Sequence, residues 1–173
     1  MDSEFLTSLR KDRQGSGSEA QLPLVGLSPG SRVVLRICDR RTVHRSLHFR
    51  GKGKQPIICP ESECPVCDRG KRPVSCDYVN VYDCQEERVK VLYVCGTLRQ
   101  QLGKCVEQYG QPTEYDIMIT RSKMRGHNQY NVEKAETNAP LPSDLSLYPL
   151  EQRLKPATRE ELEALFDDSD LPL

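Results

Sequence analysis

The chain reads as a mainly β protein: a small closed or partly closed barrel carrying an inserted cysteine loop, one main helix and a flexible acidic C-terminal tail. Three observations lead there. Six short stretches are β-branched or alternate apolar with polar residues, while only the stretch from Gly96 to Tyr109 carries a sustained helical period. No strand is followed regularly by a crossover helix, which argues against a parallel sheet. The cysteines of the loop stand among Gly, Pro and charged residues with neither period.

The elements follow in order. Residues 1–27 read as a flexible leader without its own core, with Gly15-Ser16-Gly17-Ser18 inside it. The turn signal Ser28-Pro29-Gly30-Ser31 opens the folded part, and strands are expected over 32–38 and 42–49. Residues 51–73 need something other than a hydrophobic core to hold them. Strands over 76–83 and 87–95 are joined at Cys84-Gln85-Glu86 as a hairpin. Leu98, Leu102, Cys105, Val106 and Tyr109 recur at steps of three and four, predicting an amphipathic helix that Gly110 ends. A last strand pair is expected over 115–120 and 129–135. The folded domain is thus 28–136, with the loop at 48–76. Residues 137–156 form a Pro-rich linker or surface-hugging strap, and Thr158 with Glu161 is a capping box opening a short helix through Phe166.

A length of 173 residues allows one compact domain plus tails. No apolar run approaches the roughly 20 residues a bilayer crossing needs, so a membrane protein is not expected. The first residues carry charges of both signs and no apolar segment, so they do not read as a secretory signal, and a reducing cytoplasm is the expected compartment. Zero formal net charge hides an asymmetry. Residues 32–75 hold eleven Lys or Arg against four acids, whereas 143–173 hold eight acids against three basic residues. A basic front suits a polyanion, and the acidic end a separate partner.

In the loop, Cys64 and Cys67 stand at x2 spacing and Cys59 precedes them by five positions. Such a knuckle turns thiolates inward around one tetrahedral ion, and one structural Zn2+ is the expected occupant. The fourth ligand is expected to be His48, with Cys76 as the alternative; His44 shares a strand face with His48, and closeness to the loop favours His48. Four protein ligands leave no open position for water. A redox Cys-x-x-Cys pair is the competing reading, disfavoured because the surround describes a loop rather than a helix start. Cys38, Cys84, Cys95 and Cys105 read as small buried hydrophobes.

Strand 76–83 alternates strictly, which puts Val79 and Val81 on the core face and Tyr78, Asn80 and Tyr82 on the other. Tyrosines beside Arg69, Lys71 and Arg72 form a platform on which unpaired bases stack while cations follow the phosphates. The alternative is that they pack under a loop or tail. Arg121, Lys123 and Arg125, followed by Tyr130, repeat the interleaving, and Phe49, beside Arg50, Lys52 and Lys54, is a weaker candidate. There is no Gly-rich phosphate loop, no metal-binding carboxylate cluster and no Ser-His-acid grouping among His44, His48 and His127, so an enzyme is not expected.

His48-Phe49, Cys59-Pro60, Cys64-Pro65-Val66-Cys67, Gly70-Lys71-Arg72-Pro73 and the tyrosine strand through Tyr82-Asp83 resemble the zinc-containing, T4-like helix-destabilising single-stranded-DNA-binding proteins of phages. The resemblance spans residues 28–135. It implies an OB-fold with zinc in an inserted subdomain and a basic, aromatic cleft for single-stranded DNA (ssDNA). The end of the chain, with Phe166, Asp167, Asp168, Asp170, Leu171, Pro172 and Leu173, is similar to the acidic tip of bacterial ssDNA-binding proteins, which implies docking to replication, recombination or repair proteins. The expectation is a protein that coats unpaired DNA in the cytoplasm of a bacterial or phage-infected cell. A zinc-stabilised interaction adaptor and a single-stranded RNA-binding protein are the alternatives. The basic, hydroxyl-rich N-terminal cluster of the phage family is thinned here to Ser8-Leu9-Arg10-Lys11, which leaves self-association open.

Overall fold

A computed structural model describes residues 22–50, 56–123 and 129–166. The chain is mainly β: β1 (Arg32–Ile37), β2 (Val43–His48), β3 (Ile57–Ile58), α1 (Pro65–Asp68), β4 (Val74–Asp83), β5 (Arg88–Val94), α2 (Gly96–Tyr109), β6 (Ile117–Arg121), β7 (Tyr130–Lys134), α3 (Leu150–Arg153) and α4 (Arg159–Leu165). Of the described residues, 22–43 with 77–150 form one compact unit, and 44–76 with 151–166 form another.

In the first unit the strands run in the order β5-β4-β1-β6-β7, each neighbour antiparallel. Alternation decides which face each residue takes. The register sets Val79 against Leu92, Ile37 against Val81, Leu35 against Ile117 and Ile119 against Val132. These residues, with Leu98 and Cys105 of α2 and with Tyr115, make a single apolar core. Gly110 ends α2 at φ 84° and ψ −153°, a conformation essentially reserved for glycine.

Residues 22–27, assigned to the leader on sequence, are part of this unit. Val91 exchanges backbone hydrogen bonds with them, donating to Pro23 O at 2.9 Å and accepting from Val25 N at 3.0 Å. Val25 and Leu27 pack on the core. Their apolar side chains and an unpaired edge of β5 explain why the boundary lies earlier than residue 28. The Pro-rich segment also binds closely. Arg36 Nε donates to Asp116 Oδ1 at 2.6 Å, both residues being buried, and Asn138 Oδ1 accepts from Arg36 Nη2 and from Asp116 N. Ala139 completes the clasp, its carbonyl accepting from Arg36 and its amide donating to Asp116. Further along, Asn80 and the Tyr148 backbone exchange two hydrogen bonds of 3.0 and 3.1 Å. The linker is a strap over this stretch.

The second unit contains the cysteine loop. β2 and β3 pair antiparallel, with Leu47 opposite Ile58 and His48 opposite Ile57. Arg45 ties the C-terminal segment to them, donating to Leu154 O at 2.8 Å and pairing with Glu151 at 2.7 Å. α4 opens at the capping box, Thr158 accepting from Glu161 N and the Glu161 carboxylate accepting from Thr158 N. Among the described residues, no helix is long and apolar enough to cross a membrane.

Candidate metal centre

Four side chains from three segments converge in the second unit. His48 closes β2, Cys59 follows β3, Cys64 is the N-cap of α1 and Cys67 lies within that helix. Their donor atoms all lie within 4.8 Å of one another, so the group could hold one metal ion. His48 Nε2 is 3.3 Å from Cys64 Sγ and 3.5 Å from Cys67 Sγ, and the Sγ atoms of Cys59 and Cys67 are 3.7 Å apart. The backbone bends to achieve this. Glu61 and Glu63 adopt left-handed φ of 66° and 53°, uncommon for residues with a Cβ, and the Glu61 amide donates to Cys59 Sγ at 3.3 Å.

The electrostatics favour a cation. Burial pushes the Cys67 thiol up to about 12, reinforced by the neighbouring sulfurs of Cys59 and Cys64. Burial also raises Cys59. At Cys64 burial acts in the same upward direction but is outweighed by the amide of Cys67, the Cys59 thiol and the amide of Val66, so its net shift is downward. Three thiolates at this spacing repel one another unless a positive ion lies between them. Burial, with the charge of Lys71, lowers His48 and keeps its imidazole neutral, the form that ligates.

One detail departs from the sequence reading. Cys64-Pro65-Val66-Cys67 does sit at a helix start, because Pro at the first helical position is preorganised for the turn it begins. The loop character of the surround therefore does not exclude a redox pair; the convergence of Cys59 and His48 on the same point is what favours a metal. Cys76 is buried but outside the cluster, and His44 is exposed, with its Nε2 3.3 Å from Ser75 Oγ.

The residues expected to meet nucleic acid are placed unevenly. Tyr78 is buried against Tyr93, ring centroids 5.4 Å apart, and Asn80 is buried under Tyr148, so Tyr78 is not a free stacking platform. On the face opposite Val79 and Val81, Tyr93 packs on Tyr78 and the strap binds Asn80. Tyr82 and Tyr130 are half-buried; Arg121 stands 5.5 Å from the Tyr130 ring centre and donates to Leu27 O. Lys123, Arg69 and Arg72 are exposed, and Arg50 and Lys71 half-buried. Lys52 and Arg125 lie outside the described residues, as do Asp167, Asp168, Asp170, Leu171, Pro172 and Leu173.

Phe166 is the clearest correction. Grouped on sequence with the docking tip, it is only 2% exposed and sits edge-on to the His48 ring at 6.1 Å. Arg69 Nη1 donates to its carbonyl at 3.1 Å, and Lys71 Nζ lies 5.6 Å from its ring centre. The signal was present: Leu162 and Phe166 are four apart after a capping box, an apolar stripe that must be buried. Comparisons with protein-family models, curated proteins and solved structures found no match to this chain.

Proposed function

We propose that the protein is a non-enzymatic ssDNA-binding protein of OB type, stabilised by one structural zinc ion. The observation that carries the metal part is the convergence of His48, Cys59, Cys64 and Cys67. Zinc bonds of about 2.3 Å to sulfur and about 2.0 Å to nitrogen give tetrahedral edges of about 3.5 to 3.8 Å, close to the donor separations found. Three thiolates and an imidazole are a zinc donor set, and with four protein donors the ion's work is structural.

Support for the OB reading comes from the strand path. Numbering β1, β4, β5, β6 and β7 as first to fifth, the order is third-second-first-fourth-fifth, with α2 between third and fourth. A five-stranded, partly open Greek-key barrel follows that path, and the cysteine loop enters between its first two strands. Such barrels bind nucleic acid on the second and third strands and on the loop joining the last two. Here that loop carries Lys123, flanked by Arg121 and Tyr130, and the second strand offers Tyr82.

The test is a salt titration of fluorescence anisotropy with labelled ssDNA, duplex DNA and single-stranded RNA. The expected result is tightest binding to ssDNA. Lys123→Glu should weaken it and make the log–log salt slope shallower by about one unit, and Tyr82→Ala should weaken it about tenfold, the loss of one stacked base. Tighter binding to RNA would move the reading to an RNA-binding relative. An interaction adaptor is favoured by the burial of Tyr78 and by the engagement of Arg69 and Lys71 with Phe166; absence of nucleic-acid binding at low salt would select it.

A further inference from the structure

The C-terminal segment 157–166 belongs to the metal unit and touches its ligands. Leu162 is fully buried and Phe166 nearly so, in one apolar cluster with Ile57, Cys59, Cys64 and Val66. The amide of Ala157 donates to Ile58 O at 3.0 Å, immediately before the ligand Cys59. At the other end Phe166 packs on the ligand His48, and Arg69, just after the ligand Cys67, holds its carbonyl.

Neither partner is self-sufficient. α4 has seven residues, too few to persist alone in water even with its capping box. The three cysteine ligands stand on or beside two residues of strand and four of helix, and Cys59 and Cys64 share their apolar cluster with Leu162 and Phe166. An ion that draws the ligands together builds the surface on which the helix docks, and the docked helix keeps water from His48 and two of the thiols.

Resting on the reading of this cluster as a metal site, we infer that α4 is a latch on the metal centre. Docking of residues 157–166 and metal occupancy stabilise each other, with Phe166 as a positioning residue for the His48 imidazole. Linkage makes the effect reciprocal: whatever factor the helix adds to metal affinity, the metal adds to helix docking. Metal loss therefore undocks residues 157–166 from the cluster.

The experiment uses the full chain loaded with zinc, and separately with cobalt. Zinc release to a chromogenic chelator should be about tenfold faster in Phe166→Ala than in the wild type, in the range found when the surroundings of a metal ligand are altered. Glu163→Gln, on the exposed face of the same helix, should release at the wild-type rate. The visible absorption bands of the cobalt form should change in Phe166→Ala, which reports ligand geometry rather than overall folding. Hydrogen exchange of the amides in 159–166 should accelerate when wild-type protein is stripped of metal. If Phe166→Ala does not fold, Phe166→Leu decides, because it keeps apolar volume and loses the ring edge: faster release supports the latch, and an unchanged rate overturns it. Wild-type protein that binds neither zinc nor cobalt rejects the metal reading itself. One bound equivalent with equal release rates, unchanged cobalt bands and unchanged exchange rejects the latch alone.

Discussion

Arg36 shows how single residues carry weight in the β unit. Its guanidinium is buried and is satisfied by Asp116, Asn138 and the carbonyl of Ala139. Removing one partner of a buried pair strands the other charge, which costs about 3–5 kcal/mol. Arg36→Ala should therefore lower the urea midpoint of this unit severely, and Asn138→Ala less so; denaturation followed by circular dichroism checks the ranking. A second buried group sets a pH dependence. Burial alone would raise the Asp83 carboxyl, but Lys90 at 2.8 Å and the amides of Glu86 and Gln85 outweigh it and hold it below its ordinary value of 3.8. This contribution is full above that value and is lost as acid protonates the folded carboxyl below it, since the unfolded chain takes up the proton first. Acid titration of Asp83→Asn against wild type should show a shallower loss of stability below pH 3.8.

At the scale of elements, strand identity was legible because alternation and β-branching are local. Helix α2 was legible from its period, and its end from Gly110. The backbone there is in a region that a Cβ strains, although among the described residues nothing beyond the chain neighbours lies within 4 Å of the added carbon. Gly110→Ala should thus cost about 1–3 kcal/mol from conformation alone, read as a lower melting temperature without loss of metal. The short pieces were not legible. β3, α1 and α3 have two to four residues and no period to find; they exist because neighbours hold them. The faces of β4 were assigned correctly, but the exposure of one was not: alternation says that Tyr78 and Asn80 point away from Val79, and cannot say that Tyr93 will pack on the one and the strap bind the other.

For the molecule as a whole, two units with separate cores predict two responses to metal removal. The core around Leu35, Val81, Leu92 and Ile117 contains no ligand, whereas the other contains Cys59 and Cys64. Chelation should unfold the second unit and leave the first; hydrogen exchange resolved by peptide should show protection lost over 44–76 and 151–166 and retained over β1, β5 and β6. Uniform loss would mean that the units fold as one.

The sequence by itself determined the mainly β class, the main helix, the capping box and the candidate ligands, because each rests on spacing along a few residues. His48 over His44 was chosen on proximity to the loop, and the geometry places His48 in the cluster. Only the tertiary structure decided that residues 22–27 flank β5, that the Pro-rich segment clasps Arg36 and Asp116, and that Phe166 is buried against His48 of the candidate metal cluster. All three join residues far apart in the chain by burial of apolar surface or pairing of buried polar groups, and burial is a property of what folds over a residue, which no local pattern records.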